Sequence, residues 1–232
     1  MIKYKHFSFD LWLTLIKSNP LYKKERVKFI YNHYNFSRNT IDEISSVIRQ
    51  VDLMCNQVNE SAGKNLDSQE MYLMVFYLLN GSNFDYKSLD LSKFSLDMSN
   101  LVRKYPPVLL NNDVIPTLKG IKDSGKTINI LSNTGFIKGK AVNEILSGLE
   151  INHFFDFKIY SDEEDLSKPN PALFDVLVEN VKTLHNDANF KLLDIVHVGD
   201  NIIADIQGAQ NIGLSAFLIH ETNSIKNLML HV

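Results

Sequence analysis

Cysteine is almost missing from this chain: Cys55 is the one thiol among 232 residues. A single thiol excludes an internal disulfide and a cysteine-based zinc cluster, and it fits a reducing compartment. An excess of charge of one sign is missing as well. With 24 basic against 27 acidic side chains the net charge is -3, and with no basic tract nothing marks a nucleic-acid or anionic-membrane surface. No apolar run approaches the roughly 18 residues that span a bilayer. The first residues enter a strand pattern without the apolar stretch and small-residue cleavage site of a leader. These absences predict a cytoplasmic protein acting on a small soluble substrate, with neither nucleic acid nor membrane as a partner. Low-complexity linkers and internal repeats are lacking too. A hydrophobic content of 44% suffices for a substantial core in one large or two modest domains. Apolar helix faces leave a monomer and a homodimer equally open.

Between about Pro20 and Tyr105 the signals are helical. Thr40 with Glu43, and Asp67 with Glu70, have capping-box spacing, in which a side-chain oxygen and a carboxylate three residues on satisfy free first-turn amides. Ile41, Ile44, Val47, Ile48 and Val51 then recur at three- and four-residue steps, as do Met71, Met74, Val75, Leu78 and Leu79. Both runs predict amphipathic helices packed on one another, with Cys55 buried among them and Gly81 ending the second in a left-handed cap. From Asp113 onward helix patterns alternate with short β-branched runs, the signature of βαβ units around a parallel sheet. The strands predicted are Thr127 to Leu131, Phe157 to Tyr160, Ile195 to Val198 and Ser215 to Ile219. Pro116 and Gly125 bound one helix, and Gly213 ends the helix that follows Asp205.

The chemistry-bearing residues lie at the ends of these runs. Asp10 closes the run His6-Phe7-Ser8-Phe9 and is followed by Leu11-Trp12-Leu13-Thr14, which places one carboxylate at the C-terminal end of a strand, where open α/β sheets do chemistry. Ser132-Asn133-Thr134-Gly135 follows the Thr127 run, Lys168 precedes Pro169-Asn170-Pro171, and Gly199-Asp200 with Asp205 follows the Ile195 run. In this order and spacing the motifs resemble the haloacid dehalogenase superfamily of hydrolases, in its branch with a helical cap inserted after the first motif. The resemblance implies a doubly wound, Rossmann-like α/β core over residues 1–16 and 106–232, and an all-helical cap over 17–105.

It also implies a magnesium-dependent phosphatase acting on a small phosphorylated metabolite. Asp10 matches the nucleophile that becomes an aspartyl phosphate, suited to the task because a carboxylate is ionised at neutral pH and needs no base to activate it. Asp10, the Trp12 backbone carbonyl and Asp200 match the protein ligands of the ion, and Asp205 matches the acid that orients that site. Lys168 matches the lysine that holds the nucleophile and the phosphoryl oxygens. Ser132 and Asn133 match phosphate-contacting positions, and Thr14 a threonine that steadies the loop after the nucleophile. Each has a plainer reading beside it: two acids at a helix N-terminus complement its dipole, a lysine is usually solvated, and Ser-Asn-Thr-Gly is a strand-ending turn. Asp162 in an acidic turn is explained equally by exposure to water. His197, inside an apolar strand, is best read as a satisfied core histidine, and His6 and His33 have no zinc spacing.

One position departs from the phosphatase pattern. The general acid two residues after the nucleophile is replaced by Trp12, whose indole neither gives nor takes the proton, so a contribution of roughly 10² to 10⁴ is missing unless another group supplies it, which implies low efficiency. Superfamily dehalogenases carry an aromatic residue there and attack carbon without a metal, but they lack the Gly-Asp pair with a second acid five residues later. Arg26 or Arg38 could cradle a departing halide from the cap, although an arginine on a helix face is usually solvated. Dehalogenation therefore remains the alternative to phosphate hydrolysis, with a non-catalytic module that binds a phosphorylated ligand or a protein as a third reading. In the phosphatase reading Trp12 forms an apolar wall between nucleophile and cap.

Overall fold

The computed structural model describes residues 4–83, 85–187 and 189–232, so the first three residues of the expected core segment, 1–3, lie outside the described residues. Strand β1 (His6–Phe9) is buried at every position, as a strand covered on both faces must be. A short β2 (Ile16–Lys17) follows, then four helices, α1 (Pro20–His33), α2 (Ile41–Ala62), α3 (Ser68–Asn80) and α4 (Leu91–Lys104). After β3 (Val108–Leu109), which pairs antiparallel with β2, come α5 (Val114–Asp123), β4 (Thr127–Ser132), α6 (Gly139–Gly148) and β5 (Phe157–Tyr160). The chain closes with α7 (Ser161–Glu164), α8 (Pro171–His185), β6 (Ile195–Gly199), α9 (Gly208–Asn211) and β7 (Ser215–Leu218).

The large sheet has the order β5-β4-β1-β6-β7 with every pairing parallel. Phe7, Phe9, Ile128, Ile130, Val196 and Val198 face α5 and α6, whereas Leu131, Ile159 and Ile195 face α8. Helices thus cover both faces, the doubly wound arrangement predicted above. The chain leaves β1 for β4 on one side and returns to β6 on the other, which opens a crevice beyond the C-terminal ends of these three strands.

The helical segment is built as its caps foretell. Both capping boxes form, with Thr40 and Asp67 at the N-caps of α2 and α3. Ile44, Ile48, Val51 and Cys55 of α2 meet Met71, Val75 and Leu79 of α3 in a shared apolar cluster. Ile41 and Leu78 are exposed, because a helix face wide enough for every third and fourth residue is wider than the neighbour that covers it. Tyr22 and Val102 belong to the core cluster instead, so α1 and α4 touch both bodies. Among the described residues no helix is long and apolar enough to cross a membrane.

Three local readings change. Gly81 caps α3 with φ 52° but ψ -131°, outside the left-handed helical region. Pro116 stands third in α5 rather than first, where its missing N–H still costs nothing because first-turn amides have no helical acceptor. The helix after Asp200 begins as a π turn over Ile202–Gln207 before α9, so Asp205 is not one α-helical turn on; such turns recur at functional sites.

Candidate active site

Asp10 lies one residue past β1, and its N–H donates to Val198 O at 2.8 Å. Strand pairing therefore carries on for one residue and fixes the carboxylate at the mouth of the crevice. Lys168 arrives from the opposite side on the loop before α8. Its backbone is clamped by one side chain: Lys168 N donates to Asn133 Oδ1 at 2.8 Å, and Asn133 Nδ2 donates to Lys168 O at 3.0 Å. The Lys168–Pro169 peptide is cis, and Asn170 and Pro171 then start α8 as N-cap and first residue.

Lys168 is 1% exposed, yet all three of its ammonium protons are used. Nζ donates to Asp10 Oδ1 at 2.8 Å, Asp205 Oδ1 at 2.6 Å and Leu131 O at 2.7 Å. Asp205 accepts further bonds from His197 Nε2 at 3.1 Å and from the Asn201 N–H at 3.0 Å. His197 Nδ1 is 3.0 Å from Ser8 Oγ. These partners assign the Nε2–H tautomer, with Ser8 donating to Nδ1. Ser8 and His197 are register partners across β1 and β6, so the sheet itself aligns this chain of bonds.

Electrostatics follow from burial and from this lysine. Burial pushes the Asp10 carboxyl up, against the pull of Lys168. Burial would do the same to Asp205, but Lys168 and His197 overcome it and hold that carboxyl well below the usual range. Burial also works against the Lys168 charge, and Asp10 with Asp205 outweighs it, raising the pKa. Asp200, half-buried, is pushed up by burial and then by Asp205.

Carboxylate oxygens of Asp10, Asp200 and Asp205 all lie within 4.8 Å of one another. When all three are ionised, the acids carry three negative charges against the one positive charge of Lys168, an excess that one divalent cation would balance. Both oxygens of Asp205 accept hydrogen bonds, from Lys168, His197 and the Asn201 N–H. Asp10 Oδ2 and the Asp200 carboxylate receive no hydrogen bond from another described residue. The donor set therefore fits a hard cation that prefers oxygen.

The other residues singled out in sequence stand apart from this network. Ser132 is fully buried, its hydroxyl directed to Asn133 O at 3.2 Å. Thr14 is buried with a hydroxyl that has no partner. Trp12 is half-buried against the core cluster, in a bridge to Ile16. Asp162 accepts the Gly139 N–H at 3.1 Å and caps α6, a role between the two considered. Gly199 does not adopt positive φ; it is needed because a Cβ there would overlap the Asp205 carboxylate. Sequence reasoning missed Asn201, whose side chain caps the π turn and also donates to Glu60 Oε1 of α2 at 2.8 Å. It placed His197 in the core without its bond to Asp205. The signal was there: Ser8 and His197 are polar residues in apolar strands, which need each other or an acid.

Comparison with known proteins places this geometry in context. A family profile described as haloacid dehalogenase-like hydrolase matches residues 4–213. The mouse protein named haloacid dehalogenase-like hydrolase domain-containing protein 3 is 30% identical over 103 residues, 44% of this chain but 37% of that protein. The glyceraldehyde 3-phosphate phosphatase of Pyrococcus furiosus is 24% identical over 203 residues, 82% of this chain and 79% of that enzyme. Among solved structures, the HAD-hydrolase YfnB of Bacillus subtilis bound to magnesium has a TM-score of 0.71 at 14% identity, over 94% of this chain and 89% of that one, a likeness of fold.

Proposed function

This chain belongs to the haloacid dehalogenase-like hydrolases, and from that premise we propose that it hydrolyses a small phosphomonoester with Asp10 as nucleophile and magnesium as cofactor. The observation that carries this reading is the uncompensated acid cluster around Lys168, in which Asp10 and Asp200 keep oxygens free. Asp10, the Trp12 carbonyl and Asp200 would hold the ion, which would offset the repulsion between the Asp10 carboxylate and the substrate's phosphate.

In the first step an Asp10 oxygen forms a bond to phosphorus while the bond to the ester oxygen breaks. In the second, water attacks the same phosphorus, the aspartyl bond breaks, and inorganic phosphate leaves. Lys168 neutralises Asp10 and steadies the charge on the transferring group, Asn133 fixes the lysine's backbone, and Asp205 with His197 holds its ammonium in place. Ser132 and the Asn133 amide would contact phosphoryl oxygens, and Thr14 would steady the loop. Trp12 offers no proton to the departing oxygen, so leaving groups that are stable as anions are favoured. The phosphatase name of the Pyrococcus relative and the magnesium in the Bacillus structure support the reading. The cluster shared by α1 to α4 supports a cap over 17–105 on a core of 1–16 and 106–232, and the single thiol supports a cytoplasmic location.

The test is turnover of p-nitrophenyl phosphate with magnesium and with chelator, in wild type and Asp10→Asn. Activity that needs magnesium and disappears in Asp10→Asn is expected. Activity surviving either change refutes the proposal. Chloride release from 2-chloropropionate in chelator would point to the dehalogenase alternative, and no turnover of either to a binding module.

A further inference from the structure

The turn between α2 and α3 reaches out of the helical segment toward three loops that carry residues of the site. Gly63 ends α2 at φ 65°, and its carbonyl accepts two hydrogen bonds, from the Ser167 N–H at 3.2 Å and from Asn170 Nδ2 at 2.9 Å. Those two donors flank Lys168. Asn65 Oδ1 accepts from Ser161 Oγ at 2.7 Å, and that hydroxyl accepts in turn from the Thr134 N–H at 2.8 Å, one residue past Asn133. Glu60 Oε1, in the last turn of α2, accepts from Asn201 Nδ2 at 2.8 Å, one residue past Asp200. A stretch of six residues, 60–65, is thus bonded to the loops of Lys168 and Asp200 directly and to that of Asn133 through one hydroxyl.

Both sides of this contact are held by bonds of their own. In the turn, Gly63 N donates to Asn59 O at 2.8 Å and Leu66 N to Asn59 Oδ1 at 2.9 Å, and Asn59 is itself buried. The seat is close: a Cβ on Gly63 would lie 2.8 Å from Asn170 Nδ2, so glycine is required there twice, by its positive φ and by the approach. In the loop, Asn170 N donates to Ser167 O at 2.9 Å, and the Asn133 side chain clamps the Lys168 backbone. Lys168 therefore stands on a four-residue turn gripped by Asn133 and by the Gly63 carbonyl. Ser161 and Ser167 are wholly buried. Withdrawing the α2–α3 turn takes the acceptor from a buried N–H and from a side-chain amide together, and neither has another protein partner to turn to.

We infer that Gly63 and Asn170 are positioning residues for Lys168: the Gly63 carbonyl, by accepting from both ends of the lysine's loop, sets the ammonium against Asp10, so that the pair is assembled only while the α2–α3 turn is seated. The inference rests on the phosphatase reading for what that pair does in catalysis, whereas the placement of the lysine stands on the contacts alone. An ammonium that meets three acceptors at 2.6 to 2.8 Å has little room to move, and a displacement of about 1 Å costs roughly 10²-fold in rate at such sites. Asn170 divides its work between two atoms. Its Oδ1 accepts from the Ala172 N–H at 3.0 Å and caps α8, while its Nδ2 serves Gly63.

That division gives the test. Asn170→Asp keeps the capping oxygen and turns the donor into a carboxylate oxygen facing a carbonyl; Asn170→Ser keeps a cap and has no donor that reaches Gly63. Each protein, in chelator and well below its melting temperature, is treated with acetic anhydride, and acetylation of Lys168 and of Lys122 is followed by peptide mass spectrometry. Lys168 reacts only when it leaves Asp10, Asp205 and Leu131 O, and Lys122 of α5, paired with Asp156, reports any general loosening. Lys168 should label about tenfold faster in Asn170→Asp than in wild type and about fivefold faster in Asn170→Ser, with Lys122 unchanged, because labelling follows the opening equilibrium. With magnesium and p-nitrophenyl phosphate, kcat of Asn170→Asp should fall about tenfold or more. Should Asn170→Asp fail to fold, Asn170→Ser decides. Labelling of Lys168 unmoved in the folded variants, or a rise shared equally by Lys122, overturns the positioning role, and faster labelling at unchanged kcat overturns its link to catalysis. A wild type without phosphatase activity whose Lys168 still responds sinks the phosphatase reading and leaves the positioning role standing.

Discussion

Replacing Lys168 with methionine keeps an unbranched chain out to the ε position and deletes the one charge that Asp10 and Asp205 share. The ammonium makes three contacts of 2.6 to 2.8 Å in a site it fills almost without exposure. Removing one partner from a buried pair costs about 3 to 5 kcal/mol, because a charge is left without compensation. Here the lower end applies. Asp10, already pushed toward protonation by burial, takes up a proton once the lysine is gone. Asp205 retains His197 and the Asn201 amide. A loss of about 3 kcal/mol corresponds to a fall in Tm of about 6 to 12 °C for a chain of this size. Urea unfolding at pH 7 in chelator checks it, since a bound cation would stand in for the ammonium. The double variant Lys168→Met with Asp205→Asn should be more stable than the sum of the single effects by about 1 kcal/mol or more, as for residues in one network. A single-variant loss under about 1 kcal/mol, or strict additivity, would mean the lysine is not what balances these acids.

Four further outcomes follow from the same structure. Trp12→Asp should raise kcat on alkyl phosphates by at least about tenfold while changing aryl phosphate turnover less, since only the poorer leaving group needs a proton; equal rates on both substrates in wild type would remove the basis for this. Gly199→Ala should displace the Asp205 carboxylate, which its Cβ overlaps, and cost about 1 to 3 kcal/mol. Gly148→Ala, with nothing near its Cβ, should be neutral or stabilising in thermal melts. His6 is buried between Thr127 Oγ1 at 2.7 Å and Asn129 Oδ1 at 2.8 Å, and burial lowers its pKa to about 4 despite the Asn129 bond. The unfolded chain protonates first, so the stability from neutral His6 is whole above pH 6.5 and is lost as pH falls through 4. At pH 4.5 the loss is about 2.5 kcal/mol. His6→Gln should flatten the slope of unfolding free energy between pH 7 and 4.5, and an unchanged slope would show that His6 does not drive it.

What could be read from residues alone was whatever short-range chemistry enforces. The capping boxes at Thr40 and Asp67 formed because both partners lie within one helical turn. The strand at Phe157–Tyr160 and the helix start at Asn170–Pro171 likewise follow from aromatic and β-branched residues and from a fixed proline φ. The candidate residues near Asp10 were legible because each stands at the end of an apolar run, and a parallel sheet gathers such ends on one edge. Tertiary structure alone decided the rest. Periodicity could not tell that the Arg26 face of α1 would be closed over by Tyr22, Phe136 and Tyr72. No spacing rule joins His197 to Ser8 across 189 positions, or aims an Asn133 side chain at the backbone of Lys168. Gly199 shows the difference most plainly: its residue type is written in the chain, but the reason for it, the Asp205 carboxylate resting where a Cβ would be, exists only when two segments are folded against each other.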